Sequence, residues 1–191
     1  MNENYSIAAK AFHSEKYTEA LEIIDKCLGK EPFQAEYLNL KGLIHLKLKE
    51  FTKARSIFKV ALDLTKNTSE LQLSILINLA SIFSYNENYH QAIKLMNSFE
   101  EFYLQEIDFN TTLLTLYIKI KNVKKTKEYL ERSIKIAPNN LSVLSYAAKT
   151  YFELNEYSIC IELCKNILNL EKDNKLALHY LTKAIKQIKS N

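Results

Sequence analysis

Between Ala35 and Lys66 apolar residues recur at helical spacing, stop for a short polar break, and then recur again. Leu38, Gly42 and His45 share a face of the first stretch, and Leu43 and Leu46 widen the stripe. Phe51, Ala54, Phe58 and Ala61 share a face of the second, alternating large with small. Lys49 and Glu50 interrupt the pattern, and Thr52 has the chemistry of an N-cap for the second helix. Gly42 and Ala54 leave room for two backbones to approach, so Phe58 and Leu38 are expected to interlock. The stretch predicts a helical hairpin.

The hairpin pattern repeats. Ala20, Ala54, Ala92, Thr126 and Cys160 form a column with separations of 34, 38, 34 and 34 residues. Cys27, Ala61, Phe99, Ser133 and Ile167 keep the same separations, as do Tyr17, Phe51, Tyr89, Val123 and Tyr157. A fourth column, Ala8, Gly42, Ala80, Leu114 and Ala148, is small in four of its five places. The two prolines, Pro32 and Pro138, share a register at the end of a repeat. A fixed period of this length is the mark of an array in which each hairpin buries its faces against its neighbours.

A 34-residue helix–turn–helix with small residues at positions 8, 20 and 27, an aromatic near 17 and Pro at 32 resembles the tetratricopeptide repeat. The resemblance covers five repeats, about 1–34, 35–68, 73–106, 107–140 and 141–174, with a closing helix at about 174–189. It implies a single all-α domain over 1–191, a right-handed α-solenoid. Leu178, Leu181 and Ile185 are the residues expected to cover the last hairpin, with Lys175, Lys183, Lys186 and Lys189 largely in water. There are departures. Position 4 holds Leu38, Leu76 and Leu144 rather than Trp, and repeat four carries Leu114, Thr126 and Ser133 at the small positions. In repeat four either wider helix packing or a slipped register is expected. Phe99 predicts a changed packing angle in repeat three, and the extra residues near Asn67–Leu71 predict longer helices at that junction.

Composition narrows the function. Two Gly and two Pro in 191 residues leave little punctuation for β-turns. A net charge of +4 over 26 basic and 22 acidic residues is too balanced to argue for nucleic acid. The run Lys121 to Lys127 reads as a solvated turn, and no recurring base-reading pattern accompanies it. No secretion signal or membrane-length apolar run is visible, so a cytoplasmic location is expected, unless a leader or anchor is missing. Cys160 and Cys164 share a helix face and read as packing residues, with metal or redox work the alternative. The four histidines fall in separate repeats without metal spacing, and no phosphate loop, nucleophile elbow or carboxylate pair is present. Neither an enzyme nor a cofactor is expected.

The resemblance implies a concave groove lined by the first helix of each repeat. Carried over by register, its N-terminal half has Tyr5, Phe12, Leu43, Leu46, Ile77 and Tyr85 as apolar anchors, with Asn39 and Ser81 among them. The C-terminal half is hydroxyl-rich, with Thr115, Lys119, Lys149 and Phe152, and would suit a polar or acidic segment. The alternative for the aromatic residues is that they complete internal packing. A clamp for the acidic tails of chaperones is absent: from repeat one its places hold Tyr5, Ala9, Leu40, Ser74 and Asn78. The expected function is a non-enzymatic adaptor binding a partner peptide or helix. A self-associating scaffold, a bacterial secretion or assembly chaperone and a nucleic-acid-associated factor are the alternatives.

Overall fold

The computed structural model describes residues 3–65 and 69–190, so the expectations that touch Asn67 lie partly outside the described residues. Among them there are twelve α-helices and no strand, and their contacts gather into two compact units. In the unit Met1–Leu104 lie α1 (Glu3–His13), α2 (Tyr17–Lys30), α3 (Ala35–Lys47), α4 (Phe51–Leu64), α5 (Glu70–Tyr85), α6 (Tyr89–Asn97) and α7 (Glu100–Tyr103). In the unit Gln105–Asn191 lie α8 (Ile107–Lys119), α9 (Val123–Ile136), α10 (Leu141–Glu153), α11 (Tyr157–Leu170) and α12 (Lys175–Ser190). Helices α1/α2, α3/α4 and α5/α6 pair as hairpins in the first unit, and α8/α9 and α10/α11 in the second. Hairpins stack because α2 packs on α3 and α4 on α5, and likewise α9 on α10 and α11 on α12.

The small-residue columns are the seams of this stacking. Ala8, Ala20, Ala54, Ala61, Ala92, Ala148 and Cys160 are all buried. Gly42 shows why one of them has no side chain. A Cβ built there would stand 2.6 Å from Cε1 of Phe58, whose ring is wholly buried. Leu38 and Phe51 pack against the cluster that contains Phe58. In repeat four the register holds: Leu114, Thr126 and Ser133 are buried where the smaller residues stand elsewhere.

Every hairpin turns in the same way. Glu15, Lys49, Glu87, Lys121 and Asn155 have φ between 56° and 62°, in the left-handed region, and none is glycine. In each turn the next amide bonds the carbonyl five residues back, as in Glu50 N to His45 O at 2.9 Å and Glu156 N to Tyr151 O at 2.9 Å. The left-handed amide itself bonds three residues back, as in Lys121 N to Ile118 O at 3.0 Å. This is the Schellman closure of a helix end. The turn in repeat two is stapled further by His45, a buried residue whose Nδ1 lies 2.5 Å from Glu50 Oε2, with Lys53 on the other carboxylate oxygen.

Three expectations need correction. Thr52 is not the N-cap of α4: the helix begins at Phe51, and Glu50 holds the cap position without a side-chain hydrogen bond to the helix amides. The covering face of α12 is Ala177 and Ala184, both buried, with Leu181 half-buried, whereas Leu178 and Ile185 stay 46% and 38% exposed. The reason is register. Helix α12 stands where the first helix of a further hairpin would stand, and such helices meet the preceding hairpin through positions 3, 7 and 10, as Val143, Ala147 and Thr150 do in α10. Finally, Phe99 goes with a break in its helix. Helix α6 has 9 residues where α2, α4, α9 and α11 have 14, and Phe99 caps the short α7 instead. The same column is filled by Cys27, Ala61, Ser133 and Ile167, all buried, in the unbroken second helices. Buried Tyr103 then reaches back, its hydroxyl 2.8 Å from Gln72 Oε1 and 3.1 Å from the Ser69 carbonyl. Helix α5 is lengthened, as expected, to 16 residues against 13 in α3, while α4 keeps 14.

Two stability measurements follow from this packing. Gly42→Ala improves helix propensity by about 1 kcal/mol but drives a methyl into the Phe58 ring; a net loss of about 1–2 kcal/mol in urea unfolding is expected. Adding Phe58→Leu to it should recover part of that loss. Lys121→Gly relieves a left-handed residue at the cost of chain entropy, and a gain of about 0.5–1 kcal/mol is expected by the same assay.

Candidate partner-binding surface

In the first unit, the residues expected from register lie on three first helices: Tyr5 and Phe12 on α1, Asn39, Leu43 and Leu46 on α3, and Ile77, Ser81 and Tyr85 on α5. None is fully buried. The aromatic rings have both an internal partner and an outward part. Tyr5 stacks on Tyr37 at 5.2 Å, and Phe12 tilts against Tyr17 at 5.8 Å. Tyr85 stacks on Phe51 at 4.1 Å yet remains 66% exposed. Burial, then the neighbouring Glu36 and Tyr37, push the Tyr5 phenol above its ordinary pKa. Oδ1 of Asn39 is shielded from water and accepts no hydrogen bond.

In the second unit, Thr115 and Lys119 stand exposed on α8 and Lys149 on α10, and Phe152 is half-buried. The Phe152 ring is held between Tyr157 at 5.5 Å and Tyr180 at 5.4 Å, so internal packing accounts for much of its surface. Lys149 lies 3.8 Å from Glu153, whose carboxylate offsets its charge. A cleft of about 340 Å³ lies between α8 and α10, floored by α9. Leu114, Leu130 and Val143 form its apolar part, and Ser133 lies in its floor, 1% exposed, with an Oγ that has no hydrogen-bond partner. Thr111, Thr115, Ser142 and Tyr146 supply hydroxyls, and Asp108 in the first turn of α8 supplies a carboxylate. Register places Thr115 on this surface. The depth of the cleft and the roles of Leu130 and Ser133 are not visible in it, although the departures at Leu114 and Ser133 mark the spot.

Elsewhere the side chains are committed to the scaffold. Lys125 pairs with Glu128 at 2.9 Å and Lys127 pairs with Glu156, so part of the basic run is neutralised where it stands. Cys160 and Cys164 are wholly buried; the hydrogen bond between them, together with burial, pushes the Cys160 thiol far above its ordinary pKa. Among the described residues no group of His, Cys, Asp and Glu is placed to hold a metal, and no helix is long and apolar enough to cross a membrane. A second cleft, about 460 Å³, opens in the first unit between α4 and α6 over Leu79 and Phe83, beside the break after α6.

The sequence profile of the tetratricopeptide repeat matches residues 35–68 and 107–140. The anaphase-promoting complex subunit CDC16 of Saccharomyces cerevisiae is 33% identical over 122 residues, covering 62% of this chain and 14% of that protein. The chain therefore spans a small part of its curated relative. Among solved structures, PilF of Pseudomonas aeruginosa superposes with a TM-score of 0.78 at 16% identity, over 97% of this chain and 83% of that one. YrrB, described as a TPR protein with an unusual peptide-binding site, superposes with a TM-score of 0.67 at 15% identity, over 92% and 89%. At these identities the two structures establish the repeat fold and nothing finer.

The packing of the aromatic residues predicts two classes of behaviour. Tyr85→Ala removes an exposed ring and should cost less than about 1 kcal/mol, while Phe12→Ala uncovers core surface and should cost about 2 kcal/mol or more. Urea unfolding of the two variants checks the ranking.

Proposed function

The chain belongs to the tetratricopeptide-repeat family, and on that premise we propose that it is a cytoplasmic, non-enzymatic adaptor whose first helices form a groove for a peptide or helix of a partner protein. Tetratricopeptide repeats are interaction scaffolds as a family, and the role of protein–protein interaction module follows from membership. The groove residues are the proposal: Tyr5, Phe12, Asn39, Leu43, Leu46, Ile77, Ser81, Tyr85, Thr115, Lys119, Lys149 and Phe152. One observation carries it. In each unit partly exposed apolar groups of the first helices adjoin a shielded polar atom that has no bond, Asn39 Oδ1 on α3 in one and Ser133 Oγ on α9, beneath α8 and α10, in the other. Such atoms cost stability when left unpaired, and an incoming peptide brings the amide and side-chain groups that would pair them.

The test follows from which residues can be changed without harm. Tyr5, Phe12 and Leu43 pack against the two core clusters, so removing them confuses binding with folding. Ser81 and Tyr85 are exposed on α5 and are the better handles. A pull-down from source lysate would use the parent chain and a Ser81→Arg/Tyr85→Ala variant whose circular dichroism matches the parent. The expected result is a protein retained by the parent and lost by the variant. If both retain the same set, the groove reading falls, and the exposed Leu178, Ile185 and Ile188 of α12 become the place to look for a second copy of the chain.

A further inference from the structure

We infer that the cleft between α8 and α10 is a subsite for a basic side chain, the arginine or lysine of a partner segment. The inference rests on the groove being where the partner binds, and adds the chemistry of one contact. It reverses the expectation that this half of the groove suits an acidic segment.

The reason lies in which hydrogen-bonding groups are already used. Thr115 donates its hydroxyl proton to the Thr111 carbonyl at 2.9 Å, and Thr111 donates to the Ile107 carbonyl at 3.0 Å or the Asp108 carbonyl at 3.2 Å. Their oxygens retain free lone pairs and no free proton. Asp108 is a carboxylate, an acceptor only, and no ion pair engages it among the described residues. Ser133 Oγ, buried in the floor, has no bond at all. No lysine, arginine or histidine lines the cleft. An anion entering here would meet the Asp108 carboxylate with no cation to offset it, while the hydroxyls of Ser133, Ser142 and Tyr146 can donate or accept and so do not discriminate. A guanidinium or ammonium would meet the reverse, several acceptors and one uncompensated negative charge. The apolar part matches the rest of such a residue. Leu114, Leu130 and Val143 offer a surface for the methylene stem of arginine or lysine while its head stays among the oxygens.

The cleft lies where repeat four departs from its columns. Leu114 fills a place held by Ala8, Gly42, Ala80 and Ala148 in the other repeats, and Ser133 fills a place held by Cys27, Ala61 and Ile167 in three of them. A hydroxyl at a buried helix position with no bond is a standing cost of the order of 1 kcal/mol or more. That cost is reduced when a donor enters the cleft and bonds the oxygen.

The probe is a library of random-sequence peptides displayed on phage, selected against the parent chain, Asp108→Asn and Thr115→Val. Asp108 and Thr115 are exposed, so both variants should fold, and matching circular dichroism is required of each before selection. Enriched peptides are resynthesised, with arginine replaced by its neutral isostere citrulline and lysine by norleucine, and their affinities measured. The expected result is enrichment of peptides with an invariant arginine or lysine. For these, the neutral replacement and Asp108→Asn should each weaken binding by about ten-fold or more. Methyl resonances of Leu114, Leu130 and Val143 should shift on titration with the parent peptide. Enriched peptides without a basic preference, or with affinities indifferent to Asp108→Asn and citrulline, overturn the subsite while leaving the groove reading intact. Failure to enrich any peptide overturns the groove reading and the subsite together.

Discussion

A helical hairpin has two apolar stripes and can bury only one of them within itself, so every hairpin here depends on the next. That constraint explains why small residues sit at the seams. The Gly42 and Phe58 contact is its tightest expression: one side chain is absent so that a ring can occupy the space beside the backbone. Where the partner helix is close, a methyl group is already too much, and where it is missing, as beside Leu178 and Ile185 of α12, apolar surface stays in water. Stability in such an array is a sum over neighbouring interfaces, so a local departure is tolerated if the adjoining seams hold.

Both departures in this chain illustrate the point. In repeat three, Phe99 ends α6 early, and the chain recovers by closing Tyr103 back onto the start of α5. In repeat four, Leu114 and Ser133 are accepted in register, and a cleft lies against them with acceptor groups on its walls. Neither site unfolds the array. Each changes the surface that the array presents, which is the property a binding scaffold needs to vary while its seams stay fixed.

The same division runs through the aromatic residues. Phe12 and Phe152 belong mainly to the hairpins that hold them, through Tyr17 in one case and Tyr157 and Tyr180 in the other. Tyr85 leans on a single neighbour and keeps most of its ring in solvent. Position in the repeat alone treats these three alike. Their surroundings separate them into scaffold and surface.

The all-helical class and the hairpin period were determined by the sequence, because seams of small residues recurring at about 34 residues are compatible with little else, whereas the register of repeat four was left open by it. The burial of Ala54, Thr126 and Cys160 could be read from their columns. Other features were decided only by the tertiary structure. The left-handed turns fall on Glu, Lys and Asn rather than glycine, since the closing hydrogen bonds and not the residue type impose the conformation. The face that α12 buries is set by where the preceding hairpin stands, not by which of its own stripes is most apolar. The cleft over Ser133 is a gap between three helices, and no local pattern encodes a gap: it exists only once α8, α9 and α10 are packed together.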